Sequence, residues 1–514
     1  MKGLYVNIPE ASAQIEKFDA LLGLKPCLAS LHHDQVGDIV VSYHSLDWPG
    51  GPVFTDPSLQ LVAVASGWFS FRGRVGDLRG LALALSGTPT HDLASRVLSD
   101  IDGGAFTLLL IDSSGFRVIS DPFGLYPHYI NRAMKGLNIA PSPYFLKGSA
   151  SADPSALRIL GRMNHLIGNL TSNADVERLP PGAIVDQKGA HFYFDYTPTE
   201  FDPKEIIQDL CAATDLFRTR NRLLPLSGGL DSRLLLATGS FEYGYTVGPT
   251  DHGDRPIARR FRGRFTKAYD DFSFLQLEYP QRMMAAAKLM FEETCPKPFR
   301  EMLAVFARVR GHWGSGLVLF DGYLGDVLTR WSWLNLATRR DQLLRPFPTL
   351  RMIGSRDYTI LRQRYATVET EDFHTIADAY ATMPVGRTLE PFHRLVLFEM
   401  LYGRGARYIV NGNSIMAGQF FTSVQPFFFP RIFRRLFAID SNSGLALSAL
   451  HDLWKHLPKD LRMTRTLDGY APGYSPLLNR LLSFQNSIMK RLRPSQFQDY
   501  GDELKQVQWE ATDR

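Results

Sequence analysis

The stretch Leu226-Ser227-Gly228-Gly229-Leu230-Asp231-Ser232-Arg233 follows an apolar run ending at Pro225 and leads into LLLATG. The pattern is strand, loop, helix. Two adjacent glycines let the backbone turn tightly and aim N–H groups at one point, and the following helix N-terminus adds the positive end of its dipole. Ser227 and Ser232 supply hydroxyl donors to the same nest. Such a cradle suits pyrophosphate. The spacing is neither GxxxxGK[ST] nor GxGxxG, so γ-phosphate cleavage of the kinase type and hydride transfer both lose support. A glycine turn that merely opens a helix is the bland alternative, and the serines and aspartate kept together in one loop weigh against it.

A second constellation is Phe320-Asp321-Gly322-Tyr323-Leu324-Gly325-Asp326-Val327-Leu328, preceded by apolar Gly316 to Leu319. In an open parallel sheet, an acid just past a neighbouring strand would face the cradle, so Asp326 is expected to join Asp231. Two aspartates without histidines suit Mg²⁺, a hard ion that keeps waters and takes one or two carboxylates plus phosphate oxygens. A surface turn after a core strand is the other reading. Thirteen histidines show no HExxH spacing, and Cys27, Cys211 and Cys295 show no CxxC, so zinc is not expected. Arg255, Arg259, Arg260, Arg262 and Arg264 share one helical window and are expected to form a solvated, ion-paired face. The run Phe427-Phe428-Phe429 reads as core or pocket lining.

These groups need elements to hold them. To about residue 190 the chain consists of short β-rich runs with Gly or Pro between them, including AFTLLLIDSSGFRVIS, a hairpin turning at Asp112-Ser113-Ser114-Gly115. From about residue 203 long helical stretches separate short apolar strands, the repeating unit of a parallel α/β sheet. The boundary falls near 194–203, where Thr, Pro and Asp cluster, and a polar tail follows about Pro494. The 514 residues exceed one ordinary core, and 45% hydrophobic with 21% charged residues is globular usage. A net charge of +5 over this length gives no reason to expect a nucleic-acid partner. No apolar run approaches a membrane span, no secretory signal is expected, and three cysteines without a disulfide framework fit a reducing cytoplasm.

SGGLDS resembles the pyrophosphate loop of ATP pyrophosphatases, and the surrounding chain is similar to the synthetase domain of asparagine synthetases and their relatives. Upstream, Asp102 to Phe106 leading to Asp121-Pro122-Phe123-Gly124, and later Leu179-Pro180-Pro181-Gly182, resemble that family's class II glutamine amidotransferase domain. The resemblance implies an N-terminal amidotransferase-like β-rich αββα sandwich over 1–195. A C-terminal parallel-sheet α/β ATP-pyrophosphatase domain with many helices over 203–495 and a polar tail over 496–514 would follow. Working glutaminases of this class carry a cysteine immediately after Met1, whose thiol attacks glutamine. Position 2 here is Lys2, so no glutaminase activity is expected, and nitrogen would come from ammonia or an amine.

In the family, ATP contacts come from strand ends, which implies Leu226, Ser227, Gly228, Gly229, Asp231, Ser232, Val247 and Gly322 as ATP and pyrophosphate residues. Asp231 and Asp326 would hold magnesium, the family's run being close to SGDGGDE. Tyr323 matches the tyrosine that β-lactam synthetases pair with a glutamate as a base, with Glu399 as the nearest candidate partner or else a solvated helix residue. Where relatives place a lysine that neutralises pyrophosphate charge, this chain has Arg465, a substitute cation or a surface arginine. The implied activity is adenylation of a small-molecule or peptide carboxylate by ATP with Mg²⁺, followed by attack of a nitrogen nucleophile. The branch would be near β-lactam synthetases and lasso-peptide cyclases, and a homodimer is left open. The rival from another class is a non-catalytic nucleotide-binding or scaffold member of a biosynthetic complex.

Overall fold

The computed structural model describes residues 1–8, 11–24, 28–33, 39–44, 51–133, 136–146, 152–250, 253–291, 294–295, 299–332, 357–386, 388–492 and 503–507. Cys27 and most of the expected tail lie outside these residues. In chain order the first strands are β1 (Leu4–Val6), β2 (Leu28–His33), β3 (Ile39–His44), β4 (Val53–Asp56), β5 (Leu61–Phe71), β6 (Arg74–Val75) and β7 (Ile101–Asp112). They continue with β8 (Gly115–Ser120), β9 (Tyr129–Asn131), β10 (Ile139–Ala140), β11 (Val176–Arg178), β12 (Ala183–Asp186) and β13 (Gly189–Phe192). These form two antiparallel sheets, ordered β11-β9-β10-β1-β3-β2 and β13-β12-β8-β7-β5-β4, with β6 beside β5.

Side-chain alternation along the strands stacks the layers. Val62 and Val64 of β5 and Leu109 and Ile111 of β7 point inward, meeting Leu4 and Val6 of the other sheet. Their neighbours Ala63, Leu108 and Leu110 point outward, with Leu81 and Leu85 of helix α2 (Leu78–Leu85). On the far side Tyr5 and Tyr129 meet Ile15 of helix α1 (Ala11–Leu22). A period of two thus yields helix, sheet, sheet, helix, the αββα sandwich. The expected hairpin is the β7–β8 turn, where Asp112 pairs with Gly115 and Gly115 takes φ 113°.

The second half contains one parallel sheet: β14 (Arg222–Pro225), β15 (Tyr243–Val247), β16 (Ala268–Phe272), β17 (Val318–Phe320) and β18 (Thr422–Val424), ordered β16-β15-β14-β17-β18. The chain starts in the middle, winds outward through β15 and β16, then returns to β17 and β18. The winding reverses between β14 and β17, and the crevice beyond the carboxyl ends of those strands is where open α/β sheets take ligands.

Sandwich and parallel sheet share a continuous apolar cluster that includes Trp68 and Phe123 on one side and Phe320 and Phe433 on the other. Trp68 Nε1 donates to the Ser423 carbonyl at 2.6 Å, and Arg178 donates to the Leu401 carbonyl at 2.8 Å. Phe123, in the turn after β8, stacks edge-on against Phe428 at 4.8 Å, so the Phe427–Phe429 run is core. Among the described residues, no helix is long and apolar enough to cross a membrane.

Candidate functional site

The loop after β14 sits at the reversal point. Leu226 N–H donates to the Tyr245 carbonyl at 2.8 Å, carrying the sheet ladder one residue beyond the strand. The chain then turns so that the next three amides each meet an acceptor of its own. Ser227 N–H reaches Ser232 Oγ at 3.0 Å, Gly228 N–H reaches Asp254 Oδ1 at 2.8 Å, and Gly229 N–H reaches Ser227 Oγ at 3.1 Å. The Ser227 and Ser232 hydroxyls lie 3.1 Å apart, closing the loop on the first turn of the helix Asp231–Thr238. Gly228 is required there, because a Cβ would stand 2.7 Å from Asp254 Oδ1. A carboxylate oxygen on the Gly228 amide marks that position as anion-accepting.

Arg233 is fully buried and pins the loop from behind. Its guanidinium donates to the carbonyls of Gly228 at 2.9 Å, Leu461 at 3.3 Å and Thr464 at 2.6 Å. The three carbonyls engage both terminal nitrogens and offset part of the cost of burying the charge.

Across the reversal point, the turn after β17 packs directly on this loop. A Cβ on Gly322 would lie 3.0 Å from Ser232 N, and one on Gly325 would lie 2.9 Å from Asp231 Cγ, so glycine at both places permits the contact. The short helix Gly325–Arg330 then presents Asp326 and Arg330, one turn apart, to Asp231. Arg330 Nη2 is 3.8 Å from Asp231 Oδ1 and 3.8 Å from Asp326 Oδ2, while Nη1 donates to Tyr470 Oη at 2.9 Å. Burial raises Asp231 to about 7 against the Arg330 charge, and the nearby Asp326 charge adds to the shift. Burial works against the Arg330 cation, but Tyr470, Asp231 and Asp326 outweigh it and hold the guanidinium above its ordinary pKa. No group of three or more His, Cys, Asp or Glu forms a ready metal cage among the described residues. Two carboxylates beside an anion cradle fit magnesium arriving with phosphate oxygens, the mode in which it uses few protein ligands.

A cavity of about 370 Å³ opens beside the loop. Leu226, Ser227 and Val247 line one wall, and Phe299, Phe306 and Ile409 the other. Ile409 belongs to a wide, π-type helical stretch, Gly405–Ile415, a geometry frequent at functional sites. The polar lining includes Asp254, Glu301, Asp321 and Arg404. Asp321 is raised to about 7 by burial, opposed by a hydrogen bond from the Tyr323 amide. Leu504 also lines the cavity, and Glu503 accepts from Ser273 Oγ at 2.9 Å.

The structure brings Leu226, Ser227 and Val247 to the cavity, and Gly228, Gly229, Asp231, Ser232, Gly322 and Asp326 to the loop and turn beside it. Tyr323 is buried against Phe428 at 5.2 Å, and its hydroxyl has no hydrogen-bond partner among the described residues. Burial first, and then the Asp321 charge, hold that phenol well above its ordinary value.

Glu399 is not a solvated helix residue and does not meet Tyr323. It is buried, and its carboxylate accepts from Arg364 Nε at 2.7 Å, Tyr365 Oη at 2.9 Å and Arg404 N–H at 2.9 Å. Arg465 is exposed over the Tyr474 ring, and the guanidinium among the carboxylates is that of Arg330. Arg255 also departs from a solvated face: it is buried and clamps Asp271 together with Arg259. Lys2 is buried, its amide donating to Gln419 Oε1 at 2.8 Å.

Asp321 stands in the second motif without an assigned role, and Asp254 and Arg330 escape a reading of motifs. The four-residue Asp326-to-Arg330 spacing on one helix was the available signal for the last, whereas Asp254 reaches the loop only through the fold.

No protein-family model and no curated protein match the sequence. Among solved structures, it is similar to glutamine phosphoribosylpyrophosphate amidotransferase from B. subtilis complexed with ADP and GMP. The identity is 13%, over 57% of this chain and 64% of that one, at a TM-score of 0.21. A second, described as the allosteric regulatory enzyme of purine biosynthesis, is 12% identical over 46% of this chain and 51% of its own, also at 0.21. The chain therefore spans less than two thirds of either neighbour, and superpositions this loose do not assign a fold or an activity.

Proposed function

We propose that the chain is an ATP-dependent, amide-bond-forming ligase of the asparagine synthetase type. It would adenylate a carboxylate with release of pyrophosphate, and ammonia or an amine would then displace AMP. The observation that carries this reading is the Ser227-to-Ser232 loop at the reversal point of the parallel sheet, with two aspartates facing each other across it. Ser227, Gly228, Gly229 and Ser232 would hold the departing pyrophosphate, and backbone at Leu226, Val247 and Gly322 would hold the nucleotide. Asp231 and Asp326 would hold magnesium, which supplies charge neutralisation at the phosphates when bound. Tyr323 is the candidate for proton handling. Desolvation alone makes it a poor base, so a substrate amine would have to contact its hydroxyl directly. Glu399 and Arg465 would act only through a rearrangement, since each is engaged elsewhere. The sandwich over 1–195 would be an amidotransferase-like domain without glutaminase activity, on the ground that position 2 is Lys2, with the ATP-pyrophosphatase domain over 203–495. The surroundings would be cytoplasmic.

A second reading, a nucleotide-binding or scaffold protein without turnover, has its own support: the three loop amides are taken up by the chain's own acceptors, Asp254 among them. Calorimetry with ATP and Mg²⁺, paired with a pyrophosphate assay over a panel of carboxylates with ammonium, separates the two. Binding with carboxylate-dependent release supports the ligase, and binding without release on any carboxylate supports the scaffold.

A further inference from the structure

We propose that Arg330 is the cation that receives the pyrophosphate group in this chain, a role for which sequence resemblance points instead to Arg465. The proposal rests on the reading of the loop as a pyrophosphate cradle.

The case is one of unspent donors. Of the arginines around the loop, Arg233 has both terminal nitrogens on carbonyls, and Arg465 lies exposed over Tyr474. Arg330 is different. Among the described residues only Nη1 makes a hydrogen bond, to Tyr470 Oη at 2.9 Å. Nη2 stands 3.8 Å from each of two carboxylates, beyond hydrogen-bond reach. The guanidinium is therefore held beside the cradle by charge while several of its N–H groups remain available. A planar fork with free donors next to anion-accepting amides suits phosphate oxygens, which accept two parallel N–H bonds.

The cluster is partly exposed: the side chains of Asp231, Asp326 and Arg330 keep 23%, 36% and 17% exposure. The charge balance agrees. Two carboxylates and one guanidinium sum to −1, so one divalent cation turns the cluster to +1 and makes it receptive to a polyanion, whereas without Arg330 it would only reach zero.

The test uses the full chain and inorganic pyrophosphate, titrated calorimetrically with and without Mg²⁺. Wild type binds, Arg330→Gln weakens binding by about 30-fold, as loss of charge-assisted hydrogen bonds does, and Arg330→Lys recovers to within about 5-fold because the point charge remains. On wild type, pyrophosphate should also shield Arg330 from phenylglyoxal, with the modified residue mapped by mass spectrometry. This second measurement decides the matter should Arg330→Gln fail to fold. Unchanged affinity in Arg330→Gln, or full modification of Arg330 with pyrophosphate bound, overturns the assignment and leaves the cradle standing. A wild-type chain that binds neither pyrophosphate nor ATP overturns the cradle and this role together.

Discussion

Asp254 and Asp321 have no assigned role in the motif reading, and each makes a prediction at the residue scale. The Asp254 carboxylate takes the Gly228 amide that a phosphate oxygen would need. Replacing it with alanine should free that donor and tighten ATP binding by roughly 3- to 10-fold, one hydrogen bond's worth; calorimetry that shows weaker binding would instead make Asp254 part of the ligand site. Asp321, raised to about 7 by burial, binds a proton in the folded chain between its unfolded value of 3.8 and about 7. The folded state then holds more protons than the unfolded one, so this contribution is fully present below about pH 4 and is lost as pH rises through 7. Asp321→Asn should therefore raise the Tm at pH 8 by roughly 1–3 °C, with the gap narrowing as pH falls and closing by about pH 4. Equal Tm values at both pH values would rule out the protonated native acid.

At the scale of elements, the site depends on the turn after β17 lying flat against the loop after β14. Gly325→Ala places a methyl 2.8 Å from Phe427 Cε2 and 2.9 Å from Asp231 Cγ. It should destabilise the chain by about 1–3 kcal/mol, an overpacking penalty, and weaken nucleotide binding at the same time; loss of stability with unchanged binding would show that the turn is only scaffold. Elements also mark where the sequence is informative. Loop and hairpin are legible because their chemistry is local: glycines, serines and an acid within six residues, or two apolar runs around Gly115. The αββα layering is expected from the family resemblance and not from a polar–apolar alternation, because β5 and β7 are buried on both faces. The cavity's far wall is not legible, since Phe299, Phe306 and Ile409 meet Leu226 only through the winding of the sheet. The burial of Glu399 is hidden for the same reason, its partners Arg364 and Tyr365 lying on a separate helix and its end.

For the molecule as a whole, the sandwich and the parallel sheet share core rather than merely touching. Phe123 packs among Phe194, Phe428 and Phe433. Phe123→Ala should cost about 3–5 kcal/mol, and calorimetry should show both halves melting in one transition that shifts as a unit. Two resolved transitions, of which only one moves, would mean that the halves fold independently.

The most direct test of the proposed ligase is pyrophosphate release from ATP and Mg²⁺ over a panel of carboxylates with ammonium, run beside Asp231→Ala. The expected result is release that requires one particular carboxylate and falls by at least about 100-fold in the variant, as when a group stabilising transition-state charge is removed. Release that continues undiminished in Asp231→Ala, or tight ATP binding with no release on any carboxylate, would contradict it.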